Sequence, residues 1–321
     1  MMSGKLKKVK LKGNESFNFR EGWLRKGMRS VESCDVLFSQ NDVMERLGVG
    51  SKMVKSIRFW LQATALCEEK HTNSGRSRAQ YLTDDFGRVV LKYDPYFDDI
   101  FTLFLIHYQI ISNETLCIAW NIFFNEYEGQ DFSKDNMIAA CKTLLDKKMD
   151  EGCTYSDSTF EHDCSSVIRM YMNDEADVEH RVQEAIKKGD KEIHPEDSLA
   201  CPLVDLKLLH KSGRIKGAYA KTSPARGDLN KLAVLYVITK NLLNQSKTSV
   251  SIDDLLRAPN NVGRVFNLNR IAINEYLDQL RISGFLTISR AAGLDMVYVD
   301  SPMRPQDIMA EYYEKRRDGN P

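Results

Sequence analysis

Apolar residues recur at helical intervals through much of the chain, and one clear case lies near its start. The segment 51–66 carries apolar residues at these intervals: Met53, Val54, Ile57, Trp60 and Leu61. They share one side of a helix, so the lysines and the arginine of this segment fall on other faces. The segment 41–47 has similar spacing, and the turn GVGS separates the two. This pattern predicts a helix, a turn and a second helix, with Trp60 in the core.

The residues that follow predict a small β-ribbon. The segment LCEEK comes first, then a polar loop at 71–78, and then AQYLTDDFGRVVLKY with TDDFG as its turn. Helix, turn, helix and ribbon follow one another in a winged helix. Residues 1–96 are therefore predicted to form an N-terminal winged-helix module.

A helical middle domain is predicted over residues 97–172. Four apolar-periodic segments follow one another there, and the segment 100–111, IFTLFLIHYQII, reads as a buried helix because it is too short to span a membrane. Ser158 or Thr159 is expected to cap the last of the four. The next stretch, 173–200, is the most polar of the chain and is predicted to be an acidic and polar linker.

The last third repeats the first in outline. Helices are predicted at 229–245, 251–257 and 268–284, and two β-rich runs follow around an Ala-Ala-Gly turn. Residues 201–321 are therefore predicted to form a second winged-helix module, with a charged tail that frays. The predicted fold class is mainly α with small β wings, in which winged-helix modules stand at both ends of a helical middle.

Charge is divided unevenly along a chain whose formal net charge is zero. Residues 1–92 carry 18 Lys and Arg against 10 Asp and Glu, or +8, while 93–200 carry 9 against 23, or −14, and 201–321 carry 18 against 12, or +6. Two basic ends favour contact with an anion such as double-stranded DNA, although ordinary solvated faces would give the same count. The seven scattered cysteines and the absence of a signal-peptide or membrane-span pattern predict a cytoplasmic protein that does not associate with a membrane.

Recognition helices and wings supply the residues expected to contact DNA. Lys and Arg pair with phosphates or guanine, and Asn pairs with adenine. The predicted DNA-contacting residues are Ser51, Lys52, Lys55, Arg58, Arg76, Arg78, Arg88, Asn267, Asn269 and Arg270. Winged helices also serve as protein-docking or purely structural units, and Glu275 and Asp278 in the second recognition helix keep that alternative open.

The acidic segment DPYFDD is a candidate metal site. Asp94, Asp98 and Asp99, with His107 about two helical turns on, could hold the Mg²⁺ or Mn²⁺ that phosphodiester hydrolysis requires. The alternative is that these carboxylates cap a helix and oppose its dipole. No nuclease motif with defined spacing appears.

Other cofactors find little support in the sequence. No nucleotide, haem or zinc is expected, since there is no Walker A loop and the cysteine spacings match no common metal pattern. Whether Cys153, Cys164 and Cys201 gather in space stays open.

Several segments, in order, resemble the bacterial family of unknown function that is encoded beside DNA phosphorothioation genes. They are FNFREGWLRKG (17–27), LGVGSKMVKSIRFW (47–60), LTDDFGRVVLKYDPYFDD (82–99), EDSLACPL (196–203) and AAGL (291–294). The resemblance implies partnership with a cysteine desulfurase, an ATPase and a reductase-like sulfur transferase, and a role in nicking one DNA strand for sulfur insertion. The chain departs from the family at Arg290 and Ala291, where a Thr usually precedes the turn.

These observations together predict a DNA-binding component of a phosphorothioation and antiphage system. Nicking of one DNA strand is its predicted activity, and a metal ion would be the expected cofactor of that activity. Two alternatives are a non-catalytic adaptor that recruits the sulfur-transfer machinery and a transcriptional regulator. Whether the chain forms a homodimer stays open.

Overall fold

The computed structural model describes residues 5–72, 78–172, 200–291, 294–300 and 303–319. Within these ranges the protein is mainly helical and has three small antiparallel sheets, which confirms the predicted mix of α-helices and small β elements. No helix in the described ranges has both the length and the apolar character needed to cross a membrane. The predicted linker, apart from Ala200, lies outside the described residues.

The first third contains the predicted helix, turn and helix as α2 (Val43–Leu47) and α3 (Ser51–Ala63), and an additional helix, α1 (Trp23–Ser33), precedes them. Its other elements are β1 (Cys67–His71), β2 (Arg78–Leu82) and α4 (Gly87–Tyr93). Trp60 is fully buried and its indole N–H donates to the carbonyl of Phe17 at 2.8 Å, so its predicted core position is confirmed. The apolar side of α3 thus packs inward and leaves its basic residues outside.

The ribbon differs from the prediction after the TDDFG turn. Strands β1 and β2 pair antiparallel, with Cys67 opposite Leu82, so the ribbon loop is the polar segment after His71. Residues 87–93 form helix α4, although the sequence predicts them as part of the ribbon. Val90 of α4 is fully buried, so packing against the rest of the protein stabilises the helix.

Four helices lie in the stretch 97–172, where the sequence predicts helices. They are α5 (Ile100–Ser112), α6 (Ile118–Asn125), α7 (Lys134–Lys148) and α8 (Asp157–Tyr171), with the short strand β3 (Asp131–Phe132) before α7. Helix α5 is apolar on all sides and buried from Phe101 to Ile111. Helix α8 begins at Asp157, so neither Ser158 nor Thr159 stands at its cap position, which corrects that prediction.

The last third contains the three predicted helices and the two β-rich runs. Its elements are a 3₁₀ helix (Pro202–Leu206), β4 (Leu209–Lys211), β5 (Tyr219–Lys221), α9 (Lys231–Asn244), β6 (Ser249–Ser251), α10 (Ile252–Arg257), α11 (Val262–Val265), α12 (Arg270–Ile282), β7 (Leu286–Ala291), β8 (Leu294–Val299) and α13 (Pro305–Arg317). The strand orders are β3-β5-β4 and β6-β8-β7. Gly284 follows α12 with φ of 75°, the left-handed conformation that ends a helix.

The C-terminal tail does not fray as predicted but forms helix α13. The ring of Tyr312 stacks on Phe101 with centroids 3.8 Å apart, and the hydroxyl of Tyr313 lies 2.7 Å from that of Thr102. Ile308 and Met309 are fully buried. Helix α13 therefore packs on α5, and buried apolar residues from 19 to 313 form one continuous core. The predicted module boundaries stay a prediction.

Candidate functional site

The start of helix α3 is an exposed, basic surface. Ser51, Lys52 and Lys55 are exposed, and no acidic residue lies in the first turn. The helix follows Gly50, which supplies no side-chain cap, so its first N–H groups and the dipole add partial positive charge. Lys55 is 68% exposed and its ammonium is 3.9 Å from the carboxylate of Glu15, a weak surface pair. This surface suits an anion.

Two of the predicted arginines converge on one carboxylate. Arg58 donates to Glu69 through Nε at 2.9 Å and Nη2 at 2.5 Å, and Arg78 donates to Glu69 at 2.9 Å. Burial alone would raise the pKa of Glu69, but the hydrogen bonds from Arg58 and Arg78 outweigh it and lower that pKa. A DNA phosphate would have to compete with Glu69 for both guanidinium groups.

The remaining predicted residues of the first module lie elsewhere. Arg76 lies outside the described residues. Arg88 is on helix α4 rather than in the wing, and it pairs with Asp84 at 2.8 Å on the surface. The wing prediction is therefore wrong for Arg88, because the chain turns into a helix after TDDFG.

The predicted residues of the second module are held by local contacts. Asn267 has φ of 52° and donates to the carbonyls of Thr222 at 2.9 Å and Leu208 at 3.3 Å. Asn269 caps α12 by accepting from the N–H of Ala272 at 2.9 Å. Arg270 is ion-paired with Asp253. These contacts give all three residues structural roles at the start of α12.

The exposed face of α12 is also apolar at both ends. Ile271 is 72% exposed and Ile282 is 78% exposed. These two side chains offer apolar surface and no hydrogen-bond donor to a phosphate oxygen.

The carboxylates of DPYFDD act as caps and ties. Asp94 accepts from the N–H of Asp98 at 3.0 Å, from that of Asp99 at 3.2 Å and from the hydroxyl of Thr102. Asp99 caps α5 by accepting from the N–H of Phe101 at 3.0 Å. Burial raises the pKa of Asp94 although these donors oppose the shift.

Asp99 also fastens the C-terminal helix. It accepts from Arg316 at 2.5 Å and from the hydroxyl of Tyr312 at 2.9 Å. With Asp94 and Asp99 committed in this way, only Asp98 of the three carboxylates is exposed.

His107 is part of the core and not a metal ligand. Its Nε2 lies 2.6 Å from the carbonyl oxygen of Val265, and its Nδ1 lies 2.6 Å from the hydroxyl of Tyr171. Burial lowers the pKa of His107 to about 4. Both ring nitrogens are used within the core, so the predicted ligand set of three carboxylates and His107 does not fit Mg²⁺ or Mn²⁺. Among the described residues, no three His, Cys, Asp or Glu side chains are grouped to hold a metal ion.

The three cysteines left open by the sequence do not form such a group either. Cys164 and Cys201 are buried, whereas Cys153 is only partly buried. The thiol partner of Cys164 is Cys141, and the hydrogen bond between them together with burial raises the pKa of Cys164.

A cavity of about 570 Å³ brings three of the quoted motif segments together. It is lined by residues of 19–24, 96–103 and 200–205, which come from the start of α1, the loop before α5 and the 3₁₀ helix. Its charged residues are Arg20, Glu21, Asp98 and Asp205. This volume lies in the range of ligand-binding clefts.

The loop at the mouth of this cavity is held in a strained shape. Phe97 has φ of 61°, which is rare for an aromatic residue, and its N–H donates to the carbonyl of Asp94 at 3.2 Å. The guanidinium of Arg25 lies 3.8 Å from the ring centre of Tyr96 and donates to its hydroxyl at 2.9 Å. The sequence reasoning missed this site. The three segments that line it belong to the motifs that resemble the family, but the sequence does not show that they lie together in space.

Comparison with known proteins places the chain in a family. The profile of a family described as a protein of unknown function, DUF4007, matches residues 11–313. The chain belongs to the DUF4007 family. No match was found among curated proteins.

Two solved structures resemble this DUF4007 protein. One is a crystal structure of SspB, with a TM-score of 0.77, and the other is a magnesium ion-bound SspB, with a TM-score of 0.78. Each shares 22% sequence identity, and the alignment covers 97% of this chain and 88% of the other. The resemblance drawn from the motifs is therefore confirmed for family and fold.

Proposed function

We propose that this protein is the DNA-binding component of a DNA phosphorothioation and antiphage system. The observation that carries the proposal is the exposed start of α3. Lys52 and Lys55 lie there beside a helix N-terminus that has no side-chain cap and no acidic residue in its first turn. Helix N-termini and lysine side chains both bind phosphate oxygens. The fold shared with SspB supports the assignment to such a system.

The order of elements supports winged-helix modules at both ends. In the last third, α9, β6, α10, α12, β7 and β8 follow one another as helix, strand, helix, helix, strand and strand, with the short α11 before α12. The sheet order β6-β8-β7 leaves the hairpin of β7 and β8 as the wing. In this arrangement the third helix of each module, α3 or α12, is the recognition helix that enters a groove.

Charge reversal at Lys52 and Lys55 tests the proposal. The double variant K52E/K55E should lose at least tenfold in affinity for a duplex, and the slope of log affinity against log salt should fall by about 1.8, since each lost phosphate contact contributes about 0.9. Fluorescence anisotropy with a labelled duplex measures both quantities. The matched control is K207E/K216E, which changes two exposed lysines outside α3 and preserves the charge change.

If K52E/K55E and the control bind the duplex with equal affinity and melt at the same temperature as wild type, α3 does not contact DNA. Both α3 lysines lie off the buried side of the helix, so folding should persist. Deleting everything after residue 200 is not a usable test of the second module, because α13 covers part of α5.

A second role is proposed for α12 as a dock for the sulfur-transfer partners. The exposed Ile271 and Ile282 favour it over DNA contact. The variant I271E/I282E should keep duplex affinity while losing binding to purified cysteine desulfurase, ATPase or reductase-like sulfur transferase in a pull-down. A loss of duplex affinity alone would instead make α12 a DNA-reading helix.

Strand nicking stays a prediction. The magnesium in one similar structure belongs to that SspB, and the residues predicted as ligands in this chain do not fit a metal ion. Incubation of the pure protein with supercoiled plasmid, with and without Mg²⁺ or Mn²⁺, separates a nickase, which yields open circles, from an adaptor or a transcriptional regulator, which does not.

A further inference from the structure

The N-terminal segment 5–12, KLKKVKLK, is an extended strap fastened at both ends. Near its start, the N–H of Leu6 donates to the carbonyl of Lys148 at 2.8 Å, and the carbonyl of Leu6 accepts from Asp150 at 2.9 Å. At its end, the N–H of Lys12 donates to the carboxylate of Asp163 at 2.9 Å. Helices α7 and α8 therefore hold the strap in place.

Apolar and basic residues of the strap separate to opposite sides. Leu6, Val9 and Leu11 pack against the core. Its lysines are all exposed: Lys5, Lys7, Lys8, Lys10 and Lys12. In the part of the chain that the structure describes, none of these five lysines has an acidic residue within ion-pair distance. The apolar residues thus fix the backbone while the ammonium groups stay in solvent.

The strap leads to residues 13–17, which pack on the middle of α3 and bring the carboxylate of Glu15 to 3.9 Å from the ammonium of Lys55. Gly13 lies so close to the ring of Phe59 on α3 that a Cβ there would be 2.6 Å from a ring atom. Two residues of α3 also point to the carbonyl of Phe17: the hydroxyl of Ser56, at 3.4 Å, and the indole of Trp60. The strap therefore runs from this contact with α3 to the end of α7, where Leu6 is hydrogen-bonded to Lys148 and Asp150.

We propose that the strap is a phosphate-contacting extension of the α3 surface, which follows the backbone of the duplex bound by α3. The inference rests on the proposed function and adds a second contact region to it. Lysine is a point charge that binds phosphates without reading sequence. Because the strap is already ordered, binding costs little conformational entropy.

The central lysines of the strap are those that matter most. Asp150 and Glu151 are exposed beside its first residues and weaken the positive potential there. Lys7, Lys8 and Lys10 lie between this acidic end and the fastened Lys12.

The test uses the full chain and two triple variants. K7Q/K8Q/K10Q removes the central strap charges, and K207Q/K216Q/K247Q removes three exposed lysines of the last third. Anisotropy with two duplexes of unrelated sequence, measured from roughly 50 to 200 mM salt, gives the salt slope. The slope of the strap variant should fall by about 2.7 for both duplexes, at about 0.9 per contact, and that of the control should not.

Each alternative result has a definite meaning. If K52E/K55E weakens binding but the strap variant matches its control, the strap inference is overturned and the proposed function stands. If the wild-type chain binds neither duplex, the proposed function and the inference fall together.

Discussion

Burial of His107 should make the folded protein sensitive to acid. The ring is neutral when Nε2–H donates to the carbonyl of Val265 and Nδ1 accepts from the hydroxyl of Tyr171. A proton on Nδ1 would place an unpaired positive charge in a site with no exposed surface. Burial accordingly lowers the pKa of His107 from 6.5 to about 4.

The direction of the effect follows from which state binds more protons. Between pH 4 and 6.5, His107 is protonated in the unfolded chain but neutral in the folded protein. The free energy of unfolding therefore decreases as pH falls through this range. The fall of the His107 pKa from 6.5 to about 4 on folding corresponds to roughly 3 kcal/mol of stability that is lost below the folded pKa. At about pH 4.5 most of this loss, roughly 2–3 kcal/mol, is already present.

Asp163 acts in the opposite direction over much of the same range. Burial raises its pKa from 3.8 to about 6, so the folded state holds the extra proton and stability is lost as pH rises through that window. The two contributions oppose each other between pH 4 and 6. The acid sensitivity of wild type alone therefore does not isolate His107.

The assay compares urea unfolding of wild type and His107→Gln at about pH 7.5, 6 and 4.5. A glutamine amide can donate to Val265 and accept from Tyr171 without titrating. The wild-type advantage over the variant should shrink by roughly 2–3 kcal/mol between pH 7.5 and 4.5. The same comparison in an Asp163→Asn background should give the same difference. A wild-type advantage that stays constant to within about 0.5 kcal/mol would refute the reasoning.

Two further predictions concern the ion pair of Arg316 with Asp99 and the close contact of Gly87 with Leu66. Arg316→Met should lower the free energy of unfolding by about 1 kcal/mol, since Arg316 is 60% exposed and its pair with Asp99 is screened by solvent; a double-mutant cycle with Asp99→Asn measures the coupling. Gly87→Ala should cost about 3 kcal/mol in urea unfolding, because a Cβ would lie 1.9 Å from the carbonyl oxygen of Leu66. Alanine at Gly22, where nothing lies within 4 Å, should cost only about 1 kcal/mol from its positive φ, and equal losses at the two glycines would contradict the clash.

The sequence predicts elements well where local signals agree with packing. The apolar period at 268–284 predicts helix α12, and Gly284 ends it; the cap at Asn269, by contrast, is a residue that the sequence predicts as a DNA contact. The sequence predicts residues 87–93 as part of the ribbon, but they form a helix, because the fit of Gly87 against Leu66 and the burial of Val90 depend on tertiary structure.

The site was less predictable because its residues come from distant segments. Arg20, Asp98 and Asp205 line one cavity, yet no local pattern joins them. The ion pairs of Glu69 with Arg58 and Arg78 could not be read from the chain either, since pairing depends on the register of β1 and β2. The sequence shows which residues are basic, but it does not show which of them are free of a carboxylate partner and so able to contact DNA.

The stacking of α13 on α5 has a consequence for synthesis of the chain. Thr102 and Tyr313 are 211 residues apart. At about 5–20 residues per second, the ribosome needs roughly 10–40 s after α5 emerges before it makes the helix that covers it. During that interval the face of α5 that receives Tyr312 and Tyr313 stays open, so a nascent chain offers chaperones a surface that the finished protein hides.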